Sequence, residues 1–323
     1  MSMELYPLIF EPILKDRIWG GTKLESDLGK TNLPTRTTGE SWELSAVDGD
    51  MSVVNNGAYA GKPLTELLEK FPAEVLGTKV HAQFGTQFPL LFKFLDARED
   101  LSIQVHPNDA LAKERHNSFG KTEMWYVMQA DEGSRIIVGF KHQSSAEEYL
   151  QHLESKNLIE ILNEVPAEKG QVFFLETGTI HAIGAGIVIA EIQQTSDITY
   201  RIYDWDRVDA NGKGRELHVE QALDAMNYNT TDTQKNYTQE PNKSNVMVDC
   251  PYFTTSYLPL EGSAGKTNDG SSFRVYICTD GAFSVEFDGQ KHDFKKGDTI
   301  LVPAALASYL LTGTATLLEI SIS

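Results

Sequence analysis

Cysteine is scarce in this sequence: its 323 residues include only Cys250 and Cys278. Two cysteines cannot build the dense disulfide framework of a small secreted domain, and reduced thiols are typical of the cytosol. The segment from Met1 to Phe10 also lacks the basic residues that precede the apolar part of a secretory signal. We therefore expect a cytoplasmic protein with free thiols.

Positive charge is also in short supply. Lysine and arginine number 28 against 46 acidic residues, which gives a formal net charge of -18. Nucleic acids and anionic membranes favour basic surfaces, so the sequence predicts neither kind of partner. No apolar run is long enough for a membrane-spanning helix. An anionic substrate would need a local group of lysines and arginines to overcome the overall field.

The stretch from Leu101 to Glu123 carries the strongest signal of a functional site. Residues 103–106 alternate between apolar and polar, which predicts a half-buried strand. Gln104 and His106 are two positions apart, so both project from one face of that strand. Glu123 lies near the start of the next strand-like run.

A further histidine, His181, follows a later apolar run. A lone histidine is more often structural than a ligand. Two imidazoles, one carboxylate and an amide oxygen would together suit a borderline divalent metal such as zinc.

Strand-like runs dominate the chain, with one helical insertion predicted at about residues 144–164. Ser145 and Glu148 have capping-box form there, and apolar residues with helical spacing follow. Residues 227–245 are rich in Asn, Thr, Gln and Lys, which is typical of a linker. We therefore predict a first domain over residues 1–240 and a second over residues 241–323.

An internal repeat supports two related domains. The spacing from Gly170 to His181 matches the spacing from Gly297 to Ser308, and Glu123 aligns with Phe273. The second copy would keep its strands and turns but lack the ligands. We expect it to cover an edge of the first sheet.

The spacing from Gly170 to His181 resembles the second conserved motif of the cupins, which are small β-barrels or jelly rolls with a metal in the mouth. Gln104 and His106 take the places of the two histidines of the first cupin motif, and Glu123 follows after a longer loop. This resemblance implies a mainly β fold: a cupin-type β-barrel or jelly roll with helical insertions, plus a smaller, degenerate cupin-like β-domain.

Four stretches narrow the resemblance further. Residues 92–95, residues 101–108 with Gln104-Val105-His106-Pro107, residues 121–123, and residues 196–201 are together similar to the type I mannose-6-phosphate isomerases in their short bacterial form. The similarity is clear over about residues 1–225. It implies one zinc ion per chain.

The resemblance also implies individual roles. The zinc ligands would be His106, Glu123, His181 and Gln104, and the active-site residues would be Arg201, Lys121 and Lys93. A lysine near zinc and Arg201 should have a lowered pKa, so Lys121 is a candidate base.

The sequence departs from the longer members of this family at two places. They carry a histidine three residues before the ligand glutamate, where this chain has Gly120. They also have a glycine-rich turn after the arginine, where this chain has residues 202–207. The sequence therefore leaves the proton-transferring base and the phosphate contacts unassigned.

The implied reaction interconverts mannose 6-phosphate and fructose 6-phosphate through a cis-enediol, with a proton moved between C2 and C1. The expected partner is a small sugar phosphate, and the choice between monomer and homodimer is left open. Two alternatives use the same residues. A cupin metal oxygenase would bind iron through two histidines and a carboxylate, and a non-catalytic cupin would bind a sugar phosphate without turnover.

Overall fold

A computed structural model describes residues 5–208 and 211–322 of the chain. The strands in this part, in chain order, are β1 Ile13–Gly21, β2 Thr38–Leu44, β3 Ala46–Val47, β4 Asp50–Met51, β5 Leu90–Ala97, β6 Ile103–Val105, β7 Glu123–Ala130, β8 Arg135–Phe140, β9 Leu162–Pro166, β10 Val172–Leu175, β11 His181–Ile183, β12 Ile187–Gln194, β13 Tyr200–Tyr203, β14 Gln234–Lys235, β15 Asn245–Asp249, β16 Thr254–Thr267, β17 Arg274–Phe287, β18 Gln290–Lys295, β19 Thr299–Val302 and β20 Ser308–Ser321. The predicted mainly β fold is confirmed.

Short helices lie between the strands. They are α1 Lys23–Ser26, α2 Leu64–Lys70, α3 Pro72–Leu76, α4 Thr78–Phe84, α5 Asp109–His116, α6 Ala146–Glu154 and α7 Val219–Ala225, with 3-10 turns at Gly57–Tyr59 and Leu158–Ile161. None of the helices in the described chain has the length and apolar character needed to cross a bilayer.

Two antiparallel sheets face each other in the first part of the chain. One has seven strands in the order β1-β2-β5-β12-β7-β10-β14, and the other has five in the order β13-β6-β11-β8-β9. Between them lies an apolar cluster that includes Trp19, Trp125, Val138 and Ile189. This is the jelly-roll arrangement expected of a cupin.

Alternation along each strand decides which side chains enter the space between the sheets. In β12, Val188, Ala190 and Ile192 belong to the core on the outer side, so the residues between them point inward. In the five-stranded sheet, Tyr200 and Ile202 pack outward beneath helices α6 and α7. Polar residues at the intervening positions therefore meet between the sheets.

The C-terminal residues form a third sheet, ordered β15-β16-β20-β17-β18 with β19 paired to β17. Its apolar side chains share one core with the outer face of the seven-stranded sheet, where Phe92 and Tyr126 join the same cluster as Phe253 and Phe273. The expectation that this part covers only an edge was wrong. The sheet covers a whole apolar face, because the outward-facing residues of β5, β7 and β12, such as Phe92, Tyr126 and Ile192, are apolar.

The predicted internal repeat appears in the strand order. In the first copy β12 and β10 flank β7, and in the second β20 and β19 flank β17. Gly170 and Gly297 both have a left-handed backbone, with φ of 91° and 90°, which glycine adopts without steric cost. Ser308 begins β20 as His181 begins β11.

Two local predictions need correction. The insertion predicted at residues 144–164 is α-helical only over Ala146–Glu154. Lys156 then takes a left-handed φ of 58°, Leu158–Ile161 forms a 3-10 turn, and Leu162–Pro166 forms β9 on the five-stranded sheet. The segment at residues 227–245 is more than a linker, because Gln234–Lys235 pairs with β10 as an edge strand. The boundary near residue 240 stays a prediction.

Candidate metal centre and active site

The two facing sheets bring the predicted site residues together from distant parts of the chain. On the five-stranded sheet, Gln104 lies opposite His181 on one side and opposite Arg201 on the other. On the seven-stranded sheet, Glu191 lies between Lys93 and Trp125. These side chains all occupy positions that alternation directs inward.

His106, Glu123 and His181 form a buried cluster whose ligand-type atoms all lie within 4.8 Å of one another. The Nε2 atom of His106 is 3.6 Å from Glu123 Oε2, and the Nε2 atom of His181 is 3.4 Å from Glu123 Oε1. Such spacing lets three donor atoms converge on one cation of ordinary size.

Backbone carbonyls orient both imidazoles. His106 Nδ1 lies 2.9 Å from the carbonyl oxygen of Ile198, and His181 Nδ1 lies 2.8 Å from that of Thr179. An Nδ1–H that donates to a carbonyl leaves Nε2 unprotonated and directed at the cluster, which is how metal-binding histidines are commonly held.

Both histidines are kept neutral by their surroundings. Burial lowers the pKa of His181 to about 4. Burial and the nearby Lys121 ammonium bring the pKa of His106 well below its ordinary value. Neutral imidazole is the form that binds a metal.

Glu123 shows that the cluster suits a cation. Its side chain is fully buried, and Oε1 receives no hydrogen bond from the described residues. Burial raises the pKa of Glu123 to about 7, despite the Lys121 ammonium beside it. A buried carboxylate with an unsatisfied oxygen is costly, and a bound cation would remove that cost, so the residues present fit a metal ion.

Gln104 lies at the edge of this cluster. Its side-chain amide nitrogen is 3.2 Å from His181 Nε2. In this orientation the amide hydrogen faces the imidazole, so ligation through the amide oxygen would require the amide group to turn over. A role for Gln104 as fourth ligand therefore stays a prediction.

Lys121 enters the cluster itself. Its Nζ lies 2.8 Å from Glu123 Oε2 and 3.0 Å from His106 Nε2. Burial disfavours the ammonium, but the charges of Glu123 and Glu191 outweigh burial and raise the pKa of Lys121. The lowering predicted for Lys121 depends on a zinc ion beside it and stays a prediction.

Lys93 belongs to a second buried pair. Its Nζ is 3.2 Å from Glu191 Oε1 and 4.7 Å from the centre of the Trp42 ring. Trp125 Nε1 donates to Glu191 Oε2 at 3.0 Å. Lys93 is thus a cavity-lining lysine with a carboxylate partner, rather than one whose stem lies along an apolar core.

Arg201 is half-buried and does not pair with Asp197 or Asp204, the two partners that its sequence neighbourhood offers. Its Nη1 donates to the carbonyl oxygen of Glu216 at 2.9 Å. Burial and the nearby Arg215 lower the pKa of Arg201. A guanidinium held by a carbonyl alone keeps its full positive charge available to an anion.

A cavity of about 620 Å³ opens beside the cluster and reaches it at Gln104 and Lys121. Its six basic residues are Lys15, Arg17, Lys93, Lys121, Arg201 and Arg215, against the five acidic residues Asp16, Glu40, Asp50, Glu191 and Asp197. In a chain with a net charge of -18, such a balance makes this cavity a local site for an anion.

The position that departs from the longer family members has a steric explanation. A Cβ added to Gly120 would lie 2.7 Å from the backbone nitrogen of Asp109 and 2.8 Å from the carbonyl carbon of Asn108. No side chain fits there without moving the backbone. The missing histidine is therefore a difference in chain path, and Gly120 cannot be replaced by a base.

Several cavity residues were missed by sequence reasoning. Glu191 was left unassigned because one charge in an apolar run also suits a structural ion pair. Glu40 and Trp42 carried a usable signal, since they are two apart on one strand. Arg215 carried no usable sequence signal, because it follows β13 in an irregular polar segment without a periodic pattern.

The fold and the site together define a cupin-type protein with a buried histidine and carboxylate cluster beside a charged cavity. The profile of the family described as "Phosphomannose isomerase type I, catalytic domain" matches residues 8–138, and that described as "Mannose-6-phosphate isomerase, cupin domain" matches residues 242–322. The chain is 38% identical over 317 residues to the mannose-6-phosphate isomerase ManA of Bacillus subtilis, covering 97% of this chain and 98% of that protein.

A mannose-6-phosphate isomerase of Streptococcus mutans is 37% identical over 309 residues, covering 95% of each chain. The crystal structure of the Bacillus subtilis mannose 6-phosphate isomerase superimposes with a TM-score of 0.89 at 34% identity, covering 98% of this chain and 99% of that one. The chain belongs to the type I phosphomannose isomerase family, and the predicted family and enzyme class are confirmed.

A more distant structure shows the fold alone. A phosphomannose isomerase variant from Salmonella typhimurium superimposes with a TM-score of 0.80 at 17% identity, covering 99% of this chain and all of that one.

Proposed function

We propose that this chain is a zinc-dependent aldose–ketose isomerase that interconverts mannose 6-phosphate and fructose 6-phosphate. The observation that carries the proposal is a buried cluster of His106, Glu123 and His181 beside a cavity with six basic residues, one of which, Lys121, contacts Glu123. The relatives named for this activity match along nearly the whole chain. Two free thiols suit a cytoplasmic enzyme.

The proposed metal ligands are His106, Glu123 and His181, with Gln104 as a fourth after its amide turns over. Nitrogen and carboxylate donors suit zinc, which undergoes no redox change. When bound there, zinc would supply Lewis-acid polarisation of the sugar oxygens.

The chain's own residues would do the remaining work. Arg201 offers a fixed positive charge to the oxygen that gains negative charge as the C–H bond breaks, and one such donor is typically worth about 3 kcal/mol of barrier. We assign the transfer of the proton between C1 and C2 to Lys121 Nζ, which lines the cavity beside Glu123. A bound zinc ion would lower the pKa of this lysine, so that its neutral amine could accept the proton. Lys93, paired with Glu191, would hydrogen-bond a sugar hydroxyl.

The decisive experiment measures fructose 6-phosphate from mannose 6-phosphate in a coupled assay, before and after chelation and with each divalent metal restored. We expect activity to vanish on chelation and to return with zinc. No turnover by the zinc-loaded chain would remove the isomerase proposal and leave a non-catalytic binder. Activity that depends on iron and consumes oxygen would support the oxygenase alternative.

A pair of histidine variants tests the ligand assignment. His181→Ala removes one buried ligand-type nitrogen, so we expect the variant to lose its metal and its activity to fall by about a thousandfold or more. The variant should still fold, because the sheets supply the core. His142→Ala is the matched control, since His142 is exposed and bonds to Glu148. An unchanged zinc content in His181→Ala would show that the ligand set is wrong.

A further inference from the structure

Three arginines line the candidate active-site cavity: Arg17, Arg201 and Arg215. They differ in how their charges are balanced. Arg17 is fully paired, because its Nε and Nη2 donate to the two carboxylate oxygens of Glu40 at 2.8 and 3.0 Å. The charges of Lys93 and Arg17 outweigh burial and lower the pKa of Glu40 to about 2, so this pair stays neutral overall.

Arg215 belongs to a group with surplus positive charge. Its Nε and Nη2 donate to Asp204 at 2.7 and 2.5 Å, and Arg207 Nη2 donates to the same carboxylate at 2.6 Å. Asp204 is buried, but the hydrogen bonds from both arginines outweigh burial and lower its pKa. Two guanidinium groups share this carboxylate. The second partner of Arg207, Glu99, is half exposed and lies 3.9 Å from Arg207 Nη1, so part of the positive charge remains unbalanced.

Asp204 also fixes the direction of Arg215. The pairing engages the Nε and Nη2 edge of the guanidinium, so Nη1 lies on the side away from the carboxylate. Because Asp204 already holds the planar guanidinium of Arg215 in one orientation, the side chain loses little conformational entropy when its Nη1 side binds an anion. Arg207 shares the carboxylate but does not line the cavity.

Arg201 supplies a second unbalanced charge. It lies opposite the candidate ligand Gln104 on the neighbouring strand, and its partner is the carbonyl oxygen of Glu216, the residue after Arg215. Arg201 therefore lies between the candidate metal cluster and Arg215. Because Arg201 is assigned to the reacting oxygen, Arg215 is left for an anionic group farther from the cluster, and a phosphate, with about two negative charges at neutral pH, is such a group.

We propose that Arg215 is a phosphate-binding residue of the active site and that Asp204 is its positioning residue. The proposal rests on the proposed function, since it places the sugar phosphate with its phosphate at Arg215 and its reacting carbons toward the cluster. Asp204 and Arg215 would then set the preference for a phosphorylated sugar. Paired guanidinium groups recognise phosphate oxygens through charge-assisted hydrogen bonds.

The test compares Arg215→Gln with Arg207→Gln. Both variants remove one positive charge from Asp204, but only the first removes a group that lines the cavity. With inorganic phosphate as the probe in calorimetric titration of the zinc-loaded chain, we expect Arg215→Gln to raise the dissociation constant by about tenfold or more. Arg207→Gln should raise it by less than about threefold.

Steady-state kinetics provide a second readout. Arg215→Gln should raise KM for mannose 6-phosphate by a similar factor and change kcat less than threefold, because the phosphate lies away from the reacting carbons. Zinc content and the melting temperature show whether the variant is folded. If Arg215→Gln does not fold, Arg215→Lys keeps the ion pair and loses the fork, and it should also weaken phosphate binding.

Equal effects of Arg207→Gln and Arg215→Gln, or an unchanged phosphate affinity in both, would overturn the assignment of Arg215. Neither result would affect the proposed reaction, provided that the unmodified chain isomerises mannose 6-phosphate. Failure of that turnover would remove the reaction, while the titration with inorganic phosphate would still decide whether Arg215 binds an anion.

Discussion

Glu123 couples the charge state of the site to its capacity for a metal. The carboxyl group is fully buried, and burial raises its pKa to about 7. It contacts both imidazoles and the Lys121 ammonium. In the absence of a divalent cation, the carboxyl group therefore changes its protonation near neutral pH, whereas the two histidines remain neutral until far more acidic conditions.

This arrangement predicts a pH-dependent metal affinity. Below about pH 7 the metal must displace a proton from Glu123, so the apparent affinity for zinc should fall by roughly tenfold per pH unit between about pH 7 and 5.5. His181, with a pKa of about 4, does not compete over that interval. Above about pH 7.5 Glu123 is ionised, so it should no longer make the apparent zinc affinity depend on pH. A competition titration with a chromophoric chelator measures the profile.

Proton release provides the control for this prediction. Calorimetry at about pH 6 in two buffers of different ionisation enthalpy should show about one proton released per zinc ion bound. An affinity independent of pH between 7 and 5.5 would show that Glu123 is already ionised and that burial does not control its charge.

At the scale of single residues, spacing and the family resemblance singled out the three residues of the buried cluster, whose role as metal ligands stays a prediction. His106, Glu123 and His181 lie at strand boundaries whose positions follow from alternation and turns, and the structure brings them together. The surroundings of Lys121 could be predicted only in part: the charge of Glu123 is close in the sequence, but the second carboxylate that raises the pKa of Lys121, Glu191, is seventy positions away. Arg215 could not be predicted, because no periodic pattern fixes where an irregular segment passes.

A network of hydrogen bonds connects elements of the two halves behind the cluster. Tyr252, which precedes β16, donates to Asp109 Oδ2 at 2.8 Å, and the backbone nitrogen of Gly120 donates to Asp109 Oδ1 at 2.8 Å. Gln194 donates to the same carboxylate and accepts from the backbone nitrogen of Thr122 at 2.9 Å. The C-terminal half thereby helps to hold the backbone from which Lys121 and Glu123 project.

Tyr252→Phe tests this connection with almost no change in packing. Loss of one hydrogen bond to the half-buried carboxylate of Asp109 should lower the free energy of unfolding by about 1–2 kcal/mol. Because residues 120–122 lose part of their support, zinc affinity should fall by roughly threefold to tenfold. Chemical denaturation and chelator competition measure the two effects.

Tyr257→Phe is the matched control, because its ring packs against Tyr126 and Tyr237 on the same side of the molecule. It should lower zinc affinity by less than about twofold. An equal loss in both variants would show that the effect of Tyr252 is one of general stability.

The arrangement of strands was more predictable than their endings. The apolar run of β5 and the alternation in β6 are local patterns, and both strands form as expected. The insertion was predicted as helix throughout because apolar residues at 158, 159 and 162 continue a helical spacing. The left-handed backbone at Lys156 ends the helical region, and residues 162–166 then pair with β8 as strand β9 despite the helical spacing.

In the molecule as a whole, the two predicted domains are joined by a common core. Phe92, Met124 and Tyr126 from the seven-stranded sheet pack in one cluster with Phe253 and Phe273 from the C-terminal sheet. Leu8 also forms a β-bridge with Leu301. The sequence signalled two repeats, but it could not show that their apolar faces meet, because the repeat spacing does not determine how one sheet packs on another.

A truncated chain of residues 1–240 should therefore fail to fold on its own. Exposure of a buried aromatic or aliphatic side chain costs about 1.5–3 kcal/mol, so uncovering several of them exceeds the 5–15 kcal/mol that typically stabilises a domain. We expect the fragment to aggregate or to lack a cooperative thermal transition, measured by circular dichroism beside the full chain. A sharp transition and bound zinc in the fragment would show that residues 241–323 are dispensable.

The second repeat must therefore keep the shape of its packing surface, but it does not need ligand-type residues. Because the C-terminal sheet covers the apolar outer face of the seven-stranded sheet, it is needed for packing alone. Substitutions such as phenylalanine at the place of Glu123 and serine at the place of His181 would therefore have carried no catalytic penalty. Any substitution that disrupted the packing between the two sheets would instead have exposed apolar side chains of both copies to water. Duplicated modules that lose their reactivity can persist in evolution for this reason.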